Sequence, residues 1–353
     1  MRKLVLNLFL VACVSFVSCS KSSDDASAAV TPSGTVTDCS SKTGIAKIVC
    51  LAENLKATLS ASQLTTLQLE YNATNAKKWS NLPVTMVPRI GIRFGDLNAT
   101  QLTAAKALLK EVTGSTANEG YEEITQLWLA DDYLSNNGGG TTYGAGQYYM
   151  AFLGTPSATA TWQLQAGGHH LAVSNTYVNG VLKGATPSFR AVEPFAAFGS
   201  NYQPLVQDRD ALAAMFGSLS ASELATAKLS STFSDILLGP GKDGQFPNAK
   251  SGLKVGNLNA AQKTAVLNAI KTYVNDIDDA NAAIIMAKYT AEIDDTYIAY
   301  SGNANLTVQN DYVRIDGTSV WIEYSVQGGI VIRNVPHPHS VWRDRTGDYG
   351  GSF

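Results

Sequence analysis

A five-residue pattern typical of helix N-termini occurs four times in the 353-residue chain. It reads Leu, then Ser or Asn, then Ala, then any residue, then Gln or Glu, and it lies at 59–63, 97–101, 219–223 and 258–262. The Ser or Asn side chain can accept a hydrogen bond from a free N–H of the first helical turn, and the Gln or Glu can bond back to the capping residue. The pattern therefore predicts four helix starts.

The spacing of these helix starts predicts the architecture. The first and third copies, and the second and fourth, are about 160 residues apart, which is too long for a solenoid repeat and fits a duplicated domain. Strand-like segments follow the helical part of each half, at 148–153, 161–165 and 171–181, and again at 312–315, 320–324 and 330–332. We expect an α+β fold with two related halves, residues 45–200 and 201–353, each a helical part followed by a small antiparallel sheet.

The N-terminus has the features of an export signal. Met1-Arg2-Lys3 is basic, and the apolar stretch at 4–17 is too short to span a bilayer. The stretch ends in Phe16-Val17-Ser18-Cys19, which resembles a bacterial lipobox. We therefore expect a lipoprotein signal peptide at 1–19 and lipidation of Cys19. The alternative is an ordinary cleaved signal with an incidental cysteine.

The segment behind Cys19 is rich in Ser, Ala, Thr and Asp, and it cannot bury a core. We expect a flexible tether at 20–44. Its serine-acidic start at 20–25 resembles the surface-export signal of Bacteroidetes lipoproteins, so the expected location is the outer membrane or cell surface, with the lipid on Cys19 as the membrane anchor. In an exported chain, the nearby Cys39 and Cys50 are predicted to form a disulfide.

Charge excludes one class of partner. The formal net charge is −3 and the sequence pI is near 5.8, so the chain lacks the basic footprint of a nucleic-acid-binding protein. The partners that stay open are a small molecule, a glycan or a peptide.

The four histidines of the chain occur as two close pairs, His169 with His170 and His337 with His339. Imidazole is the commonest metal ligand and the usual proton carrier near neutral pH. In an extended segment His337 and His339 would point to the same side, whereas the adjacent His169 and His170 would point to opposite sides. Because related halves often place equivalent sheet ends near a shared cleft, we expect the two pairs to meet there.

These residues define two candidate roles. All four histidines are candidate ligands of Zn or Cu, the metals that suit imidazole-rich ligation. Candidate catalytic residues are His169, His170, Glu193, Arg343 and Asp344. The acids can accept from imidazole N–H groups, and the arginine can pair with an acid or bind an anionic substrate.

Several motifs also carry a family resemblance. They are Gly168-His169-His170-Leu171, Thr186-Pro187-Ser188-Phe189 with Glu193-Pro194, and His339-Ser340-Val341-Trp342-Arg343-Asp344 with Gly347-Asp348-Tyr349-Gly350. Together they resemble the bacterial and fungal family called domain of unknown function 3500, from about residue 45 to the end. The resemblance implies an exported protein of unassigned activity. Arg190 departs from the pattern of that family and receives no role from it.

Two classes of function follow from the sequence. The first is a cell-surface metal-dependent enzyme, a hydrolase or oxidase with a histidine-rich site between the halves. The second is a non-catalytic surface lipoprotein that binds a nutrient or a partner, in which the histidines are structural hydrogen bonders. Resemblance to a family does not distinguish these two classes, because function depends on the site and not on the fold.

Overall fold

The computed structural model describes residues 34–196, 198 and 202–353. The predicted signal peptide at 1–19, the predicted lipidation at Cys19 and the predicted tether up to residue 33 lie outside the described residues. Within these residues there are nine α-helices: α1 Gly44–Thr58, α2 Ala61–Leu67, α3 Ala73–Ala76, α4 Ala99–Glu111, α5 Gly120–Leu134, α6 Val206–Gly217, α7 Ala221–Ala227, α8 Ala260–Val274 and α9 Asp279–Ala291. None of these helices is long and apolar enough to cross a bilayer.

Twelve strands are formed in the same part of the chain. They are β1 Gln68–Leu69, β2 Ile92–Arg93, β3 Tyr149–Leu153, β4 Trp162–Gly168, β5 Leu171–Val178, β6 Val181–Gly184, β7 Ser188–Ala191, β8 Leu253–Lys254, β9 Tyr297–Ser301, β10 Tyr312–Asp316, β11 Val320–Gly328 and β12 Pro336–Asp344.

The four predicted helix starts are confirmed. Helices α2, α4, α7 and α8 begin at Ala61, Ala99, Ala221 and Ala260, and each has a complete capping box at the predicted residues. The boxes also contact one another in pairs. The Gln101 amide of the second box bonds to the Gln63 side chain of the first, so the caps orient neighbouring helices as well as starting them.

The strands form one sheet, and the prediction of two small sheets is wrong. Their order is β1-β3-β4-β5-β7-β12-β11-β10-β9-β8, with β2 added beside β3 and β6 beside β5. Every pairing is antiparallel except β1 with β3. The two halves of the chain are joined where β7 pairs with β12. The fold is a mixed α and β structure built on this single large sheet.

The predicted strand at 330–332 is also wrong. β11 ends at Gly328, and residues 329–335 form a loop closed by a hydrogen bond from Gly329 N–H to Val335 O, 3.0 Å. The N–H groups of Val331 and Ile332 donate to the Glu193 carboxylate instead of to a neighbouring strand. An apolar run therefore became a loop because a distant side chain supplied its hydrogen-bond acceptor.

The two faces of the sheet are covered differently. Met150 and Phe152 of β3 pack into the large core beneath the helices, while the alternating Ala151 and Leu153 pack into a smaller cluster with Trp79 and other loop residues. This alternation follows from the two-residue period of a strand. We call the two sides the helix face and the loop face.

The predicted disulfide between Cys39 and Cys50 is present. It joins the segment before α1 to the second turn of that helix. Next to it, Thr37 exchanges two hydrogen bonds with the Asn54 side chain of α1, at 2.8 and 2.7 Å. The described end of the predicted tether is thus attached to the first helix.

The buried Gln101 gives a stability test. Its amide Nε2 donates to the carbonyl of Thr58, at the end of α1, while its Oε1 accepts from Asn98 N–H. We expect Gln101→Ala to lower the free energy of unfolding by about 1–3 kcal/mol, because a buried carbonyl loses its donor as well as the cap. Gln63→Ala, which removes a capping residue that is only partly buried, should cost about 1 kcal/mol or less. Urea unfolding followed by circular dichroism would measure both, and equal losses would contradict this role for Gln101.

Candidate metal centre

The two histidine pairs meet in one cavity of about 290 Å³. His169 and His170 occupy the turn between β4 and β5, and His337 and His339 lie on β12. The Nε2 atoms of His170 and His337 are 2.9 Å apart. The prediction that the pairs converge is therefore confirmed, although His337 and His339 lie within a strand and not beyond one.

Strand geometry explains the orientation of His337 and His339. Both are on the loop face of β12, where they lie opposite Gln327 and Ser325 of β11. The intervening Pro338 points to the other face, so the two imidazoles are neighbours on one surface. Their Nε2 atoms are 3.1 Å apart.

A tight turn brings the other pair to the same place. His170 has φ of 62°, in the left-handed region, which costs about 1–3 kcal/mol in a residue other than glycine and persists only where the surroundings impose it. The His170 carbonyl accepts from Ala191 N–H of β7, at 3.0 Å, and this bond holds the turn. Position 168, just before the turn, is a glycine because a Cβ there would lie 2.9 Å from the Tyr148 ring.

Three imidazole nitrogens therefore share one small volume. Ligand atoms of His170, His337 and His339 all lie within 4.8 Å of one another, and each residue is at most 5% exposed. An imidazole nitrogen has a single in-plane position, which holds either a hydrogen or a lone pair. Nε2 of His337 thus cannot form good hydrogen bonds with both neighbours, whereas one cation in the middle can accept all three lone pairs.

Two carboxylates that sequence reasoning missed orient the imidazoles. Asp131 of α5 accepts from Nδ1 of His169 at 2.8 Å, and Asp235, in a loop, lies 3.0 Å from Nδ1 of His339. A proton held on Nδ1 by a carboxylate leaves the Nε2 lone pair free, which is the usual second interaction of a metal-bound histidine. Neither acid lies near a histidine in the sequence, so only the fold reveals the contact.

The predicted Glu193 belongs to the same site. One of its oxygens accepts from the N–H groups of Val331 and Ile332, at 2.6 and 2.7 Å, and the other lies 3.7 Å from Nδ1 of His337. That nitrogen is buried and has no hydrogen-bond partner. Glu193 is therefore placed to orient His337 and to hold the 329–335 loop over the cavity.

Burial also sets the charge of the imidazoles. It lowers the pKa of His170 well below its ordinary value, with a further contribution from His169, and it lowers the pKa of His337 in the same way, with a further contribution from His339. Both side chains are consequently neutral at pH 7 and carry a lone pair, as metal ligands must.

Arg343 and Asp344 are not brought into this cavity. Arg343 is fully buried on the loop face, where it pairs with Asp243 at 3.1 Å and Asp348 at 2.9 Å. Asp344 is on the helix face and accepts from Lys288 and Tyr289. These contacts hold the C-terminal segment to the sheet.

A second group of buried acids surrounds Arg190 on the helix face. Glu123 and Asp276 pair with its guanidinium at 3.1 and 3.2 Å. Burial and the neighbouring acids raise the pKa of Glu119 to about 12 and that of Asp208 to about 7. This group is separate from the histidine cavity, and its positive charge is supplied by the protein itself.

The cavity opens through an apolar rim. Leu82, Pro83, Met86 and Ile330 line it on the solvent side, together with Tyr143, whose ring edge contacts His169. The buried histidines and Glu193 thus lie on the floor, and the exposed apolar groups lie at the entrance. The floor is the part that can bind an ion, and the entrance is the part that a second molecule would meet first.

Comparison with known proteins gives a family and no described activity. No curated protein and no solved structure matches the chain significantly. A family model described as "Protein of unknown function (DUF3500)" matches residues 41–351, a range that includes all four histidines, Glu193 and Cys50 of the disulfide. The resemblance inferred from the motifs is thereby confirmed, and the chain belongs to the DUF3500 family.

Proposed function

We propose that this protein is a metalloenzyme in which His170, His337 and His339 bind one Zn or Cu ion at the floor of the cavity. The observation that carries the proposal is the convergence of three Nε2 atoms, with contacts of 2.9 and 3.1 Å. Catalytic zinc sites commonly have three protein ligands and a fourth position for water or substrate. Here the fourth position would face the opening of the cavity.

The same arrangement favours hydrolysis. A zinc ion bound by three neutral ligands lowers the pKa of a bound water to about 7 and polarises a carbonyl oxygen. His169 lines the cavity, and its Nδ1 is 2.8 Å from Asp131, so its other nitrogen is available as a proton acceptor. We assign His169 the role of general base and the three other histidines the role of ligands. Copper in place of zinc would favour an oxidative reaction at the same position.

A structural role for the histidines is the competing proposal. It is supported by their burial and by the contacts of His339 with Gln327 and Asp235, at 2.7 and 3.0 Å. It leaves Nδ1 of His337 without a partner in a buried site, and it requires one nitrogen to serve two neighbours. The metal proposal explains the second feature, because one cation can accept a lone pair from each of the three Nε2 atoms.

We also propose that the protein is exported and anchored at the cell surface by lipid on Cys19. The lipobox-like sequence at 16–19 supports the anchor. The disulfide between Cys39 and Cys50 supports export, because structural disulfides persist mainly in oxidising compartments.

We infer in addition that the two halves arose by duplication. Each half has two capping boxes in the same order, and strand order in the sheet runs outward from the β7–β12 pair toward earlier strands on both sides. Under this inference the two halves contribute different ligands to one site, His170 from a turn and His337 with His339 from a strand.

Metal analysis tests the central proposal. Protein purified without a histidine tag should bind about one equivalent of Zn or Cu, and His337→Ala or His339→Ala should weaken binding by more than about 100-fold, since each removes a ligand. His169→Ala, an equally buried change in the same cavity, should keep the stoichiometry. Mass spectrometry of the metal content, with circular dichroism to check folding, measures this. A folded wild-type protein without stoichiometric metal would favour the non-catalytic binding lipoprotein.

Asp235 tests the orientation of the ligands. Its side chain is 41% exposed, so Asp235→Asn should not disturb the core. The loss of the carboxylate next to Nδ1 of His339 should weaken metal binding about 10- to 100-fold. Competition with a chromophoric chelator would measure the affinity, and Asp210→Asn, at an exposed acid of α6, is the matched control. An unchanged affinity in Asp235→Asn would show that His339 does not depend on this carboxylate.

Cell fractionation tests the anchor. In a bacterial host that processes lipoproteins, the wild-type chain should remain with the membranes after a high-salt wash. Cys19→Ala should appear in the soluble fraction, because it lacks the acyl chains that hold the protein in the bilayer. Cys13→Ala, within the predicted signal peptide, should behave as wild type. Membrane retention of Cys19→Ala would contradict lipidation at that residue.

A further inference from the structure

We propose that the cavity takes a small molecule with an uncharged apolar tail, whose polar head reaches the histidine floor while its tail packs on Leu82, Met86 and Ile330. This inference rests on the proposed metal centre and specifies its substrate class. It excludes substrates whose tail bears a carboxylate or phosphate.

The exposure of the rim supports an apolar tail. Met86 and Ile330 are each 67% exposed and Leu82 is 41% exposed, and all three line the entrance of the same cavity. Single exposed apolar side chains are ordinary, but a contiguous group beside a cavity marks a binding surface. A bound tail would remove this surface from water, which favours binding by about 25 cal/mol per Å².

The charges of the cavity support an uncharged tail. Among the residues that line it, the charged groups are the carboxylates of Glu193 and Asp235, and there is no Lys or Arg. Arg89, in the adjacent segment, donates to the carbonyls of Leu82 and Gly168. The proposed metal ion would supply positive charge only at the floor, where the head binds, so a carboxylate on the tail would meet like charges and find no guanidinium or ammonium partner.

Amide groups at the floor support a polar head. The Asn81 and Gln327 side chains line the cavity beside His339, with Nδ2 and Nε2 at 3.4 and 2.7 Å from its Nδ1. Amides can donate to and accept from a neutral carbonyl, ester or amide without adding charge. A volume of about 290 Å³ is at the lower end for small-molecule sites, so the ligand must be small.

Three hydroxamates with one head group test the tail. Hydroxamates bind catalytic metal ions, so acetohydroxamate, hexanohydroxamate and the monohydroxamate of adipic acid differ only in what meets the rim. We would titrate each by calorimetry into zinc-loaded full-length protein carrying Cys19→Ala, which removes the need for detergent. Hexanohydroxamate should bind at least about 10-fold tighter than acetohydroxamate, which corresponds to about 1.4 kcal/mol. The adipic compound, with a terminal carboxylate, should lose that gain.

Substitutions of rim residues test where the tail of the ligand binds. Met86→Gln and Ile330→Asn should reduce the gain of hexanohydroxamate to less than about 3-fold and leave acetohydroxamate unchanged. Ile284→Asn, at an equally exposed residue of α9 outside this cavity, should keep the full gain. Equal affinities for the three compounds in metal-loaded protein, or a preference for the adipic compound, would overturn the substrate class alone. A protein that binds no metal would overturn the substrate class and the metal centre together.

Discussion

The site depends on the register in which one four-residue strand, β7, pairs with its two neighbours. β7 lies between β5 and β12. Ala191 N–H of β7 donates to His170 O at 3.0 Å, and Val192 N–H, directly after the strand, donates to Pro338 O at 3.2 Å. A slip of β12 by one residue would turn its two imidazoles to the helix face, under the core. Because the core requires the apolar residues of that face, the packing that stabilises the sheet also selects the register that assembles the site.

Features that depend on neighbours in the sequence were predictable. Each capping box needs only residues three apart, so all four are present at the predicted positions. The disulfide joins cysteines 11 residues apart. The shared face of His337 and His339 follows from strand alternation alone, and the family was evident from short motifs.

Features that depend on distant pairing were not predictable. The apolar pattern suggested a strand at 330–332, yet a glutamate 138 residues away binds those N–H groups and makes a loop. The pairing of β7 with β12 turned two expected sheets into one. Asp131 and Asp235 reach the site from a helix and a loop with no histidine nearby in sequence, whereas Arg343 and Asp344, which adjoin the histidine motif, point to other partners.

The balance of charge distinguishes the histidine cavity from the two arginine-centred clusters. In those clusters the acids are paired with guanidinium groups, Glu123 and Asp276 with Arg190, and Asp243 and Asp348 with Arg343. Around the cavity the ion-pair partners of Asp131, Glu193 and Asp235 are imidazoles, and burial keeps His170 and His337 neutral at pH 7. Adding protons to those imidazoles is opposed by desolvation and by their mutual repulsion. A single divalent ion bound to the three Nε2 atoms would supply the positive charge that neither protons nor basic side chains supply in this cavity. This is the physical reason to expect a metal there.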